Sequence, residues 1–417
     1  AVNPVTNRVY VLNGDPNGTV TVIDGIPASI APAIASAPRS QTVNAGSPVV
    51  FNAAANGRPM PSYQWSRDGV PLSDGSGISG SAGPTLYLSG ATAADAGAYT
   101  VTATSSAGSA TSAAGDLSVV STASPGRIIN LSTRAYVTTP FAAGGTDVLI
   151  AGFVVGGQGT EPLVLRGVGP ALSGFGVSGA LAMPSLALYD SASPARLITS
   201  DTGWQAPPSA PAAPWSGVVT PAGATAADFT QVGAFALAPE SADCAVKISL
   251  PAGAYTSQIS AANSGTGVAL AEIYDESGGG PGAQLVNISS RAFVGAGDLV
   301  MIAGFVISGS SAQTVLIRAS GPALGAFGLQ GTLPDPQLLL FDGNRNLVAS
   351  NAKWGGSPQI KSVASLVGAF GWTDPASADS ALLVTLAPGS YTAQVNPLTG
   401  DGGLALVEIY AVPGQQH

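Results

Sequence analysis

Ionisable side chains make up only 9% of this 417-residue chain, so those that occur twice in the same local context are the first candidates for chemistry. Arg166 in "LVLRGVGP" has a counterpart in Arg318 in "VLIRASGP", and Glu272 in "LAEIY" has one in Glu408 in "LVEIY". Arg134/Arg291, Asp190/Asp342 and Asp243/Asp379 complete the duplicated set. Each Arg and each Glu of the first two pairs sits among apolar residues. An unpaired charge there is expensive, so the sequence predicts an Arg–Glu ion pair between neighbouring strands in each copy. The alternative is a ligand-facing pair with Trp204 or Trp354 beside it as a stacking platform for a sugar ring.

Catalytic chemistry finds little support. Glycoside hydrolysis needs two acids facing each other across a cleft, and the acids here are scattered. The single histidine is His417, the last residue, which leaves almost no imidazole chemistry. No G-x-S-x-G elbow with a usable His, no H-E-x-x-H and no P-loop occurs. The one cysteine, Cys244, lies in the apolar run "ADCAVKISL" and is expected to be a buried, inert thiol without a disulfide partner. "DGNRN" at 342–346 resembles a hairpin turn more than a calcium loop, since it lacks the distant bidentate Glu. A structural calcium at a loop is the one metal left open; no cofactor is expected, and no enzyme. The sequons at Asn130 and Asn287 fall inside expected strands, where chance explains them better than glycosylation.

The elements that must position these residues are strands. Hydrophobic residues make up 45% of the chain, and short Val/Ile/Leu runs recur between 55 glycines and 32 prolines. That pattern belongs to an all-β modular protein. A formal charge of −9 with 14 Lys+Arg provides no basic stripe, so nucleic acid is not an expected partner. No apolar run approaches the roughly 20 residues that span a bilayer, and "LVMIAGFVI" suits a core strand, so no membrane insertion is expected. The chain begins at Ala1 without Met or a leader, which reads as a mature product. With so little charge and so much Thr, Ser and Gly, it is expected to be secreted or on a bacterial cell surface.

Six segments follow along the chain. Residues 1–25 alternate as a hairpin, with Val9, Tyr10, Val11, Val20, Val22 and Ile23 as its candidate assembly face. Its Asn3-Pro4, Thr6-Asn7, 9–13 run and 20–25 return strand resemble one repeat of the YVTN family of bacterial surface β-propellers. Residues 26–37 are a Pro/Ala-rich linker, expected to be extended. Residues 38–120 alternate with turns every eight to twelve residues, a β-sandwich pattern. Trp65 and the run Asp95-Ala96-Gly97-Ala98-Tyr99 make this segment resemble an immunoglobulin domain of the I-set type. The resemblance implies that Trp65, Asp95 and Tyr99 build its core and corner; the family's two cysteines, due near Ala53 and at Val101, are absent. A linker at 121–125 leads to 126–278, which repeats as 279–417.

In that repeat "INLSTRAYV" matches "VNISSRAFV", "VLIAGFVVGG" matches "VMIAGFVISG", and "LPAGAYTSQI" matches "LAPGSYTAQV". The first copy carries insertions around "TTPFAAGG" and "APPSAPAAPWSGVVTPAG", expected to be surface loops. The two copies are expected to be tandem jelly-roll-like β-sandwiches. "LLLFDGNRNLVASN" followed by "LAPGSYTAQV" loosely resembles pre-peptidase C-terminal domains of secreted bacterial proteins.

An isolated hairpin is marginal in water, which makes strand addition to a neighbouring copy attractive. The expected function is therefore a non-catalytic structural or adhesive surface protein that self-associates, as a filament subunit, through residues 1–25. The alternative is a polysaccharide-binding accessory region of a larger secreted enzyme, resting on exposed Trp204, Trp354 and Trp372. The last aligns with Leu237 of the first copy, which weakens a shared aromatic platform.

Overall fold

Runs rich in Val, Ile, Leu and Thr favour extended backbone, and the Gly and Pro residues between them end each run. The structure is a computed structural model that describes residues 2–3, 8–12, 20–24, 29–121, 124–137, 148–210, 220–278, 282–400 and 402–414, with backbone only at 2–3, 8–12, 21–24 and 298. Its internal contacts divide it into two units, residues 1–41 with 50–119, and residues 42–49 with 120–417. The 138–145 insertion and half of the 206–223 insertion, residues 211–219, lie outside the described residues.

The N-terminal hairpin forms. Arg8–Leu12 pairs antiparallel with Val20–Asp24, placing Val9 opposite Ile23 and Tyr10 opposite Val22. Val2–Asn3 adds a third strand, and among the described residues this sheet joins no other. Val20 is exposed. The side chains of Val9, Tyr10, Val11, Val22 and Ile23 lie outside the described residues.

The second segment is a sandwich of short antiparallel strands. Its boundary differs from the expectation: Ile30–Ser36 pairs with Ala54–Arg58, so most of the supposed linker is a strand. The prolines mislead because this strand runs at an edge, where a missing N–H is tolerated. Trp65, on Ser62–Arg67, is fully buried and donates its indole N–H to the Gly83 carbonyl at 2.8 Å. Tyr99, on Gly97–Ser105, donates its hydroxyl to the Asp95 carbonyl at 2.8 Å, a tyrosine corner. The Asp95 carboxylate accepts from the Thr92 N–H and lies 3.3 Å from Arg67 Nη1. Phe51, from the opposite sheet, stacks on Tyr99 at 4.5 Å and tilts against Trp65 at 6.1 Å. Aromatic packing thus ties the two sheets together without the disulfide that the resemblance would imply.

The duplicated region is all-β, but its copies are not closed off from each other. Arg127–Val137, the first strand of copy 1, pairs with Gly267–Asp275 of its own copy and with Met301–Ser308 of copy 2. Reciprocally, Gln284–Val294 pairs with its own Gly403–Ala411 and with Leu149–Val168 of copy 1. The exchange is symmetric in register: Arg134 faces Ile302, and its counterpart Arg291 faces Ile150. Tyr136 and its counterpart Phe293 meet where the two first strands touch. The result is one 15-stranded sheet network.

A single hydrophobic cluster runs through both copies, including Leu131, Phe153, Ile288 and Phe305. Alternate residues of the first strand (Leu131, Thr133, Ala135, Val137) are buried, because successive side chains point to opposite faces and this face packs on the core. Glycines allow the crossing. A Cβ on Gly152 would lie 2.6 Å from Ser289 Oγ, and one on Gly304 the same distance from Ser132 Oγ. The expectation of two tandem sandwiches is therefore modified, since each copy completes its sheet with the other.

Candidate functional site

The duplicated charges are brought together by register. Arg166 on Leu149–Val168 stands directly opposite Glu272 on Gly267–Asp275, and Arg318 on Gln313–Ser320 stands opposite Glu408 on Gly403–Ala411. Nε of Arg166 lies 3.1 Å from Glu272 Oε2, and Nε of Arg318 lies 3.4 Å from Glu408 Oε2. All four residues are buried. The second carboxylate oxygen is also engaged: Tyr274 donates to Glu272 at 2.7 Å, and Tyr410 to Glu408 at 2.6 Å. Burial pushes both carboxyls above the usual carboxylate range, while the facing guanidinium and then the tyrosine hydroxyl pull them back. Burial, reinforced by the adjacent Glu, pushes the hydroxyls of Tyr274 and Tyr410 far up, so they stay protonated donors.

Aromatic rings cover each guanidinium. Arg166 Cζ lies 4.8 Å from the Phe229 ring centroid and 4.2 Å from that of Phe235. Arg318 Cζ lies 4.4 Å from Phe370 and 4.3 Å from Trp372. Such contacts offset part of the cost of a desolvated cation. The copies then diverge. Arg166 donates from Nη1 to the Phe235 carbonyl at 2.7 Å, whereas neither Nη1 nor Nη2 of Arg318 has a hydrogen-bond partner.

The remaining duplicated acids are architectural. Asp243 and Asp379 are fully buried, and each accepts the N–H of the glycine that opens a 3-10 turn, Gly169 and Gly321, at 2.7 Å. Each also accepts from a neighbouring serine, Ser241 or Ser377. Asp190 accepts the N–H groups of Ala192 and Arg196, and Asp342 those of Asn344 and Asn346. "DGNRN" is thus a self-satisfied turn. Among the described residues no group of three or more His, Cys, Asp or Glu is placed to hold a metal ion. Cys244 is fully buried, and burial pushes its thiol well above the usual range, which disfavours the nucleophilic thiolate.

The sugar platform does not exist at the expected residues. Trp204, Trp354 and Trp372 are only 7%, 6% and 9% exposed. Their indole N–H groups are spent on the Ala238 carbonyl, the Asp374 carbonyl and Ser320 Oγ respectively. Trp204 packs on Phe229, and Trp354 on Trp372, so none of the rings lies open on the surface as a platform for a sugar. Both lie beneath the short helices that precede the Asp243 and Asp379 turns, which the strand-only reading overlooked: α1, Ala226–Gln231, and α2, Pro358–Leu366.

Sequence reasoning also missed a buried cluster confined to copy 1. Arg127 pairs with Asp275, and Ser277 donates to the same carboxylate at 2.7 Å. Glu161, 1% exposed, is pushed up to about 8 by burial and by a hydrogen bond to the Asp275 carboxylate. Copy 2 aligns Gln313 with Glu161 and Ala411 with Asp275. The signal was an acid present in one copy only, the opposite of the duplication used to choose candidates.

Residues 32–119 match the immunoglobulin I-set domain. Among solved structures, a chimeric titin Z1Z2 carrying an exogenous decorin peptide is 32% identical, over 23% of this chain and 100% of that one, with a TM-score of 0.22. Titin domain M7 is 30% identical over 23% of this chain and 100% of its own, with a TM-score of 0.21. The N-terminal Ig1-2 module of the Drosophila receptor protein tyrosine phosphatase DLAR is 19% identical over 27% of this chain and 74% of its own, with a TM-score of 0.21.

Proposed function

Because residues 32–119 belong to the immunoglobulin I-set family, we propose that the chain is a non-catalytic structural or adhesive protein, exported to the bacterial surface or its surroundings. The observation that carries this reading is the reciprocal strand exchange between the two C-terminal copies. Separating them means breaking two inter-copy ladders and opening one continuous core together. A scaffold benefits from that continuity. The duplicated acids support the same reading, since Glu272 and Glu408 pair with arginines across strands and Asp190, Asp243, Asp342 and Asp379 hold turns. Nucleic acid and membrane insertion have no part in it, and no helix among the described residues is long and apolar enough to cross a membrane.

The N-terminal sheet supplies the connector in this reading. Its three short strands join no other sheet among the described residues, and in this reading the outer edge of Val20–Asp24 takes a strand from a neighbouring copy. Strand addition that does not close on itself yields a filament. The likeness of this hairpin to a surface-propeller repeat fits an extracellular setting. Negative-stain electron microscopy of the chain with and without residues 1–27 tests the proposal; that deletion spares the Ile30–Ser36 strand. Filaments that vanish on deletion are expected. Monodisperse particles in both samples would overturn the connector.

A further inference from the structure

Copy 2 contains a cavity of about 260 Å³ lined by Arg318, Trp354, Ile360, Lys361, Ala364 and Trp372, among others. Divergence between the copies explains it. Counting back from the shared "VGAF", Ala364 of α2 stands where Phe229 stands in α1. The equivalence is structural too: Ala234 N–H donates to the Phe229 carbonyl, and Ala369 N–H to the Ala364 carbonyl, both at 2.8 Å. In copy 1 the Phe229 ring lies over the Arg166 guanidinium; in copy 2 only a methyl group projects from that position. Trp372, in place of Leu237, covers one face of Arg318 and donates its N–H to Ser320.

The cation left facing this space is unusual. Arg318 is 1% exposed, and its Nε side is held by Glu408. The two Nη nitrogens are buried with no hydrogen-bond partner. Buried donors are nearly always paired, because leaving one unpaired forfeits its solvation. A guanidinium edge with both Nη groups free is a planar fork that fits a carboxylate in bidentate fashion. Lys361 adds a second positive charge to the lining, and no Asp or Glu is among the described residues that line it. Apart from Ser365 and Gly371, the rest of the described lining is apolar or aromatic.

We propose that copy 2 binds a small organic carboxylate, its carboxylate on the Arg318 fork and its apolar body in the space that Ala364 leaves open. The volume suits a molecule the size of roughly nine waters, taking a water's share of the liquid as about 30 Å³. Copy 1, with Phe229 over Arg166 and Arg166 Nη1 already bonded to a carbonyl, is the filled counterpart. The site does not depend on whether the chain polymerises.

Benzoate and its neutral relative benzamide are suitable probes for isothermal titration calorimetry on the full chain. Benzoate is expected to bind once per chain, at least about tenfold more tightly than benzamide, since a hydrogen bond to a charged group carries that much discrimination. Ala364→Phe, which imitates copy 1 and keeps every charge, is expected to abolish binding. Should that variant misfold, the wild-type chain still decides: benzoate must shift the indole N–H signals of Trp354 and Trp372 in an NMR titration and leave that of Trp204 in place. Absence of saturation in the millimolar range, equal affinity for the two probes, or shifts confined to other tryptophans would overturn the proposal.

Discussion

Glu161 is the residue whose protonation ought to be visible in stability. Its folded carboxyl is pushed up to about 8, chiefly by burial, whereas its ordinary value is 4.5. A carboxyl raised on folding contributes its full share of stability below about pH 4.5 and loses it as pH climbs through about 8. Urea midpoints are therefore expected to fall between pH 5 and pH 8.5. Glu161→Gln, the residue type that copy 2 has at Gln313, should remove that part of the fall, on the order of a few kcal/mol. Equal pH slopes in the two proteins would show that Glu161 is ionised in the fold. Arg127 and Asp275, which face it, are unchanged in the comparison. The Arg166–Glu272 and Arg318–Glu408 pairs were legible from their duplication and apolar flanks. The Glu161 cluster was not, because its partners are 114 and 34 positions away in a chain whose second copy lacks them.

At the scale of elements, the duplicated "GPAL" motif shows how one turn fixes several others. Gly169 and Gly321 each precede a proline that opens a 3-10 turn, and each donates its N–H to a buried aspartate. A Cβ on Gly321 would run into the Leu333 carbonyl oxygen, and one on Gly169 into that of Leu181. Backbone cannot step aside as a flexible side chain can. Gly321→Ala is expected to destabilise the chain by about 1–3 kcal/mol through overpacking. Gly325→Ala, a few residues on, would place its methyl in open space and should cost far less. Thermal melts of the two variants separate them; equal losses would mean that close approach is not what Gly321 provides. The strands of this region were readable from alternation. The helices α1 and α2 were not, since six and nine residues hold too few turns to display a helical period.

For the whole molecule, the strand exchange makes a calorimetric prediction. The two C-terminal copies share one core, so they should unfold together in a single transition whose calorimetric and van't Hoff enthalpies agree. Two separate transitions for the copies would contradict a shared core. A protease site introduced at 279–281 provides a second view: after cleavage the halves are expected to elute as one particle, held by the inter-copy ladders.

The sequence by itself determined the all-β class, the immunoglobulin segment with Trp65 and Tyr99 in its core, the duplication, and the Arg–Glu partners. These follow from local signals: alternation sets the buried face, a signature run sets the corner, and burial of a charge demands its opposite. Tertiary structure alone decided which copy each strand completes, because Arg127–Val137 and Gln284–Val294 carry the same pattern and either copy could supply their second neighbour. It also buried the tryptophans, which alternation cannot distinguish from exposed platforms when the covering element is a short helix. And it left the two Nη nitrogens of Arg318 without a hydrogen-bond partner beside a cavity, since the change that opens that space, Ala364 for Phe229, lies on a different element from the charge it uncovers.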